Sequence, residues 1–253
     1  MEGNGSWTSR AQLVARRIGG DIISGKFPPG VAMPREAELS GHYQVSRNTL
    51  REAMKALSAK ALIEIAPRRG TIVLPRARWN MLDKDVIDWI GPALWTDRTF
   101  LDEILVMRAA IEPVAAAEAA IRADKGQRAA IQHAYDAMCG LARTTEIPKK
   151  VDIDLSWHVA VAEAANNRFL VATMAGLVHA LRSQLRMLNL RDGNFEGNLE
   201  NHGAVTGEIL AGDAEAAAGM MRQLVAHARQ DTDEMLNTPR QDGGTAEEEE
   251  KKP

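Results

Sequence analysis

The stretch VSRNTLREAMKAL, residues 45–57, places the strongest constraint on how this chain can fold. As a helix, it has an apolar stripe formed by Leu50, Met54 and Leu57. Beside it runs a basic stripe formed by Arg47, Arg51 and Lys55, each four residues from the next. Ser46 precedes both as an N-cap. Such a helix either exposes an ordinary solvated charged face or enters a major groove, where arginines reach phosphates and guanine edges.

The charge is distributed unevenly along the chain. Residues 1–78 carry 13 Lys and Arg against 6 Asp and Glu, whereas residues 79–253 carry 18 against 28. A basic front and an acidic back indicate a module for a polyanion joined to a part with a different task. The single cysteine, Cys139, excludes an intrachain disulfide and a cysteine-rich zinc site. No apolar run approaches about 20 residues and no apolar signal core is present, so we expect a cytoplasmic protein without membrane spans.

The segments on either side of this helix predict a winged helix. One helix is expected from about Thr8 to Ser24, and a second from Pro34 to Gly41 or His42, which makes a helix-turn-helix with the third. Two β-branched runs, LIEIA and TIVL, then flank the turn Pro67-Arg68-Arg69-Gly70. They predict a hairpin whose basic tip lies along a minor groove or a phosphate backbone.

The runs ISGKFPPGVAMPREAELS, VSRNTLREAMKAL and LIEIAPRRGTIV resemble the GntR family of bacterial transcription regulators over about residues 10–75. The resemblance implies that DNA is contacted by the start of the third helix, by the turn before the second helix and by the wing tip, at Arg35, Ser46, Arg47, Asn48, Thr49, Arg51, Arg69 and Gly70. The chain departs from the family pattern at Ala37, where many members carry an arginine. Arg35 in the preceding turn can compensate.

The linker, residues 77–98, holds three tryptophans, Trp79, Trp89 and Trp95. A short helix over about 83–90 can bury one apolar face, so the tryptophans are expected to form a packed seam between domains rather than a ligand box. The run WNMLDKDVIDW also resembles the linker of GntR regulators that respond to sugar acids of the galactonate type.

The remaining residues predict an all-α antiparallel bundle. Helices are expected over 99–123, 126–143, 151–165, 169–190, 201–211 and 214–237, and their short connections imply antiparallel neighbours. In length and helix count this part resembles the FCD ligand-binding domain of the FadR branch of the GntR family. The expected organisation is therefore mostly α: a flexible tail at 1–8, a winged helix-turn-helix at 9–76, the linker, an FCD bundle at 99–238 and a disordered acidic tail at 239–253.

Asp154 and His158 are four residues apart and so share one helix face, which is also apolar. On an inward face they must be paired or bound to a metal. The segment DLSWHVAVAEAANN resembles the metal helix of FCD domains, and the resemblance places the third ligand on His202. Many metal-binding members carry a further histidine where this chain has Leu224, and His227 one turn later is a weak substitute. We expect a divalent metal, with zinc favoured over nickel or manganese, and the alternative is a metal-free pocket of hydrogen-bonded side chains.

Arg108 occupies the position whose guanidinium reaches the cavity in FCD domains. A guanidinium fork matches a carboxylate, so the resemblance implies a small organic acid held between Arg108 and the metal. The alternative for Arg108 is a local pair with Glu112, four residues on. Arg182 is a further candidate donor to the effector.

These features predict a homodimeric DNA-binding regulator that reads a palindromic operator and responds to a small carboxylate such as a sugar acid. We expect it to act as a repressor. Three alternatives stay open. The pocket could be metal-free and take a larger effector such as an acyl-CoA, or the chain could be a metal-dependent enzyme with a DNA-binding segment. It could also be an architectural DNA binder whose bundle only dimerises.

Overall fold

The computed structural model describes residues 9–66, 69–94, 97–189 and 194–237. Within them the chain is mostly helical, with one two-stranded antiparallel sheet. The elements in chain order are α1 (Arg10–Ile23), α2 (Glu36–Tyr43), α3 (Arg47–Ala59), β1 (Ile63–Ala66), β2 (Gly70–Val73), α4 (Lys84–Leu94), α5 (Arg98–Arg122), α6 (Lys125–Gly140), α7 (Ile147–Ala164), α8 (Arg168–Leu188), α9 (Asn194–Ala211) and α10 (Ala214–Asn237). The mostly α fold is confirmed. The two tails expected at 1–8 and 239–253 lie outside the described residues.

The first part of the chain forms the expected winged helix. Ser46 caps α3, because its Oγ accepts a hydrogen bond from the Thr49 amide at 3.2 Å. The turn from α2 into α3 passes through Gln44 in the left-handed region, with φ of 54°. Strand β1 pairs with β2 in antiparallel register, and Gly70 takes φ of 79° where the hairpin returns. Pro67 and Arg68 of the predicted tip lie outside the described residues.

Helix α4 lies between the winged helix and the bundle, in contact with α1 and α8. Its apolar side chains, Val86, Ile87 and Ile90, are buried as predicted. Gly19 of α1 allows a close approach, since a Cβ there would lie 2.4 Å from the Trp89 ring. The packed seam is therefore confirmed for Trp89, while Trp95 lies outside the described residues.

The bundle is built around α5, which packs against α7, α9 and α10, while α7 packs against α6 and α8. Two predicted helix starts were too late. Helix α7 begins at Ile147 because proline, here Pro148, fits the first turn of a helix, where its missing N–H costs nothing. Helix α9 begins at Asn194, seven residues before the predicted start. The predicted break at Gly212 is confirmed, with φ of 80°.

One hydrophobic core runs without interruption from α1 and α3 through α4 into the near ends of α5, α7 and α8. A second core fills the far end of the bundle, where Trp157 and Met138 are fully enclosed. The first core therefore includes residues of both domains, and α4 packs against both α1 and α8. Among the described residues, no helix combines the length and the apolar character that crossing a membrane requires.

Candidate functional site: an exposed basic helix and a buried polar cluster

The amino end of α3 presents its polar side chains to solvent. Arg47 and Asn48 are exposed, as is Arg35 at the start of α2. The Arg51 guanidinium lies above the same surface, where its Nε donates to Glu36 Oε2 at 3.0 Å. Both side chains of that pair are about half exposed, so water screens it and a phosphate can replace the carboxylate.

The wing contributes to the same basic character. Arg69 and Gly70 are exposed at the hairpin. Gly70 is not crowded, since a Cβ there would meet no atom within 4 Å. Its positive φ, rather than crowding, is therefore what requires glycine.

A second polar site lies inside the bundle. Asp154 and His158 of α7 and His202 of α9 are each less than 5 % exposed. One ligand atom from each of them can be chosen so that the three atoms lie within 4.8 Å of one another. The tertiary structure thus brings together the three residues that the sequence predicted as metal ligands.

His202 is held at its Nδ1 by a hydrogen bond, and the Nδ1 of His158 lies close to a carboxylate. His158 Nδ1 lies 3.2 Å from Glu112 Oε2, and its Nε2 lies 3.3 Å from Asp154 Oδ1. His202 Nδ1 donates to the carbonyl of Asn198 at 2.8 Å. That bond leaves His202 Nε2 as the ring nitrogen with a free lone pair. Within the described part of the chain, this nitrogen, Asp154 Oδ1 and His158 Nδ1 have no hydrogen-bond partner. Metal-binding histidines are held in the same way by a carboxylate or carbonyl on the far nitrogen.

Arg108 is part of this buried network rather than free in a cavity. Its Nε donates to Glu112 Oε1 at 2.7 Å and its Nη2 to Glu112 Oε2 at 3.3 Å. Its Nη1 reaches Gln184 Oε1 at 3.5 Å, and Gln184 Nε2 donates to Thr232 Oγ1 at 3.1 Å. The local pair with Glu112 that the spacing allowed is therefore present. Three of the five guanidinium N–H groups have these partners, which leaves two for a ligand.

The buried charges determine one another's protonation. Burial alone would raise the pKa of Glu112, but Arg108 and His158 lower it to about 2. Burial would lower the pKa of His158, but Glu112 and Asp154 raise it to about 9. Burial also opposes the charge of Asp154, whose pKa is nevertheless lowered by His158 and His202. Burial lowers the pKa of His202. At neutral pH the metal-free cluster thus holds an imidazolium at His158 between two carboxylates, beside a neutral His202.

Two of the candidate residues lie elsewhere. Arg182, expected as a further effector donor, is about half exposed and pairs with Asp152 on the outer surface of the bundle. The residue of α8 that reaches the site is Gln184, two positions on and so on the opposite side of the helix. His227 also lies outside the cluster, with its Nε2 3.8 Å from Asp231 Oδ2. Sequence reasoning missed Gln184 because a single glutamine in a helix carries no spacing signal.

Comparison with known proteins agrees with this architecture. The model of "Bacterial regulatory proteins, gntR family" matches residues 10–73, and the FCD domain model matches residues 103–227. The uncharacterized HTH-type transcriptional regulator YieP of Escherichia coli is 31 % identical over 209 residues, which are 81 % of this chain and 87 % of that protein. The chain belongs to the GntR family. It is a DNA-binding transcription regulator with an FCD domain.

Two further proteins are similar to this GntR regulator, one in sequence and one in fold. The galactonate operon transcriptional repressor of Escherichia coli is 30 % identical over 219 residues, 86 % of this chain and 94 % of the repressor. The solved structure of Lar, which controls the agr system of Listeria monocytogenes, has a TM-score of 0.60 and 15 % identity. The match covers 91 % of this chain and 99 % of Lar. At that identity the likeness shows the shared fold alone.

Proposed function

We propose that this GntR regulator is a homodimer whose affinity for a palindromic operator is controlled by a small carboxylate of the sugar-acid class, bound at a divalent metal in the bundle. The observation that carries the proposal is the arrangement of two buried histidines: the Asn198 carbonyl holds His202 from behind, and His158 Nδ1 lies 3.2 Å from Glu112 Oε2. They leave a buried carboxylate oxygen and a buried imidazole nitrogen without hydrogen-bond partners. Buried polar atoms of this kind cost stability unless something binds them.

The donor set suits a divalent ion. Asp154, His158 and His202 provide one carboxylate and two imidazoles, which zinc binds well and which nickel or manganese also accept. With three protein ligands, coordination positions stay open for an anionic oxygen. This chain has Leu224, buried in the second core, where many metal-binding relatives add a histidine, so the proposed site is three-coordinate from protein.

The charge balance favours an anionic effector. Without metal, Arg108 and His158 balance Glu112 and Asp154. Exchange of the His158 proton for a divalent ion leaves one excess positive charge in a buried place, which an effector carboxylate would neutralise. Arg108 can remain on Glu112 and still offer two N–H groups to that carboxylate.

The similarity to the galactonate operon repressor supports a sugar acid as the effector class and repression as the direction of control. Binding changes operator affinity only if it favours one arrangement of the two winged helices over another. Helix α8 carries Gln184 at the site and contacts α4, which contacts α1, so this chain of packed helices is the route by which the site would act.

Metal content of protein purified without chelators tests the first half of the proposal. We expect a stoichiometric divalent metal in the wild type and its loss in Asp154→Asn and His202→Ala. Asp152→Asn is the matched control, because Asp152 lies on the same helix but is exposed. A wild type without metal, or a control that loses as much metal as the variants, would contradict the metal site.

Titration of the operator complex tests the second half. For metal-loaded protein we expect galactonate or a related aldonate to weaken operator binding, and the matching neutral sugar alcohol to leave it unchanged. Arg108→Lys should reduce the response, because a lysine cannot present a guanidinium fork. Operator affinity that no sugar acid changes would remove this effector class while leaving the DNA-binding role intact.

A further inference from the structure

A buried lysine lies one helical turn before the proposed metal ligands of α7. Lys150 is only 9 % exposed. It precedes Asp154 by the same four-residue step that separates Asp154 from His158. Side chains four residues apart leave a helix on the same side, so all three point towards one region of the bundle. Each step corresponds to about 6 Å along the helix axis.

Contacts between α7 and α9 show on which side of the proposed ligands Lys150 lies. Asp154 Oδ1 is 3.9 Å from His202 Nε2 of α9, and Lys150 Nζ donates to Glu196 Oε1 of the same helix at 2.7 Å. Lys150 Nζ also lies 5.0 Å from the centre of the buried Phe195 ring. Phe195 precedes His202 by two helical turns and so points in nearly the same direction. The ammonium group and this ring therefore lie between α7 and α9, on the amino-terminal side of the proposed ligands.

The two partners of this ion pair differ in exposure. The Lys150 side chain is 11 % exposed, whereas the Glu196 side chain is 41 % exposed. The carboxylate can turn into water at little cost, because a half-exposed pair contributes little. The buried ammonium group, by contrast, needs an anionic partner to balance its charge. Glu196 is thus the partner that another carboxylate can replace.

A further buried polar atom lies at the same end of the bundle. Asn189 follows the last turn of α8, and the pair of Arg182 with Asp152 shows that this part of α8 runs beside the start of α7. Asn189 Nδ2 donates to the Leu185 carbonyl at 2.9 Å, while its Oδ1 is buried and has no hydrogen-bond partner among the described residues. An amide oxygen in this state can accept a hydrogen bond from a ligand hydroxyl.

We infer that Lys150 holds a second anionic group of the effector, so that the acid sensed by this chain is a sugar dicarboxylate rather than a monocarboxylate. The inference rests on the function proposed above and names its effector more narrowly. One carboxylate is the one already placed beside Arg108, and the other replaces Glu196 at Lys150. An aldarate carries a carboxylate at each end and hydroxyls between them. Its carbon chain can cover the step of about 6 Å along α7, and its hydroxyls suit Asn189.

Isothermal titration calorimetry of zinc-loaded protein tests the assignment with galactarate and galactonate, which differ only in having a carboxylate or a hydroxymethyl group at one end. We expect galactarate to bind about 10-fold more tightly or better, as a hydrogen bond between charged groups provides a factor of this size. Lys150→Gln should abolish the preference. Lys149→Gln is the matched control and should keep it, because Lys149 is an exposed lysine of the same helix.

The outcomes separate this inference from the function on which it rests. Equal binding of the two acids by the wild type, tighter binding of galactonate, or a preference that Lys150→Gln retains would overturn the dicarboxylate while the sugar-acid regulator stands. Binding of neither acid would overturn both the dicarboxylate and the sugar-acid class.

A second variant tests the exchange of partners without removing the buried lysine. In Glu196→Gln the amide oxygen can still accept from Lys150, but no carboxylate competes with the effector for the ammonium group. We expect galactarate to bind about 5-fold more tightly than to the wild type, and galactonate to bind as before. An unchanged ratio of the two affinities would overturn the replacement of Glu196 by the effector.

Discussion

The winged helix and the bundle each contain an Arg–Glu pair, and the two pairs differ in nearly every physical respect. Arg51 and Glu36 join α3 to α2 at 3.0 Å with about half of each side chain exposed. Arg108 and Glu112 lie on one helix at 2.7 Å and are almost completely buried. Water screens the exposed pair, which would leave Arg51 available for the predicted DNA contact, whereas the buried pair belongs to a network of hydrogen bonds. An Arg–Glu pair can therefore be exchangeable or fixed, and its solvent exposure decides which of the two it is.

The largest expected effect comes from breaking the buried pair. Glu112→Ala removes the carboxylate that faces both Arg108 and His158, so buried Arg108 loses its ion-pair partner and His158 keeps only Asp154. We expect the free energy of unfolding to fall by about 3–5 kcal/mol in urea denaturation. The matched change in the exposed pair, Glu36→Ala, should alter it by less than about 1 kcal/mol. Equal losses in the two variants would remove the distinction between the regions.

The pH dependence of metal-free protein sharpens the same distinction. The pKa of His158 is raised to about 9, so its stabilising contribution is complete below about pH 6.5 and is lost as the pH rises through 9. The pKa of Glu112 is lowered to about 2, so its contribution is complete above about pH 4.5 and is lost as the pH falls through 2. Chelator-treated protein should therefore unfold at a lower temperature at pH 9 than at pH 6. His158→Gln should flatten that change, and an unaltered profile in this variant would contradict the assignment.

The exposed region should respond in DNA binding rather than in stability. Arg47→Ala should weaken operator binding by about 5- to 150-fold, the equivalent of 1–3 kcal/mol for one base or phosphate contact. Thermal unfolding should stay close to that of the wild type, because Arg47 is exposed. Lys125→Ala, an exposed cation of the bundle, is the control in an electrophoretic mobility shift assay. Similar weakening in both variants would mean that net charge, and not the face of α3, governs binding.

The smallest effect concerns the junction that connects the two regions. In Gly19→Ala the new Cβ would lie 2.4 Å from the Trp89 ring, so α4 must shift and we expect a loss of about 1–3 kcal/mol. Gly20→Ala has open space and should gain up to about 1 kcal/mol from helix propensity. Urea denaturation of both variants measures these changes in the free energy of unfolding. If both were stabilising, the contact between α1 and α4 would not be tight enough to carry a signal.

Most of the fold could be predicted because its signals are local. Periodicity located α3, the cap at Ser46 and the apolar face of α4, and each needs only the residues of one element. The predicted helix starts were less accurate where the sequence contains a helix-breaking residue that the first turn of a helix tolerates. Pro148 suggests a helix boundary, although a proline in the first turn of a helix loses no hydrogen bond. Trp79 and Trp89 could be assigned to a seam, but the close approach of Gly19 to Trp89 depends on how α1 and α4 cross.

The candidate site, like the fold, could be predicted from the sequence only in part. The resemblance to GntR regulators and the four-residue spacing of Asp154 and His158 identified the proposed ligands. Neither could show that Glu112 lies between Arg108 and His158, that Asn198 holds His202, or that Gln184 rather than Arg182 faces inward. Those relations join helices α5, α7, α8 and α9, whose relative rotation is set by packing of the whole bundle.

The sequence by itself determined the two-part organisation, the exposed arginines of α3 and the identity of the three proposed metal ligands. The arginine face of α3 and the shared face of Asp154 and His158 depend on spacing within a single helix, which a helix converts into direction by a fixed angle. His202 was identified through the resemblance to the family. Only the tertiary structure decided which polar groups are buried together, which partner each one has, and which of their atoms remain unpaired. Burial and pairing depend on the surroundings contributed by distant parts of the chain, and the free energies of buried charges are set by those surroundings.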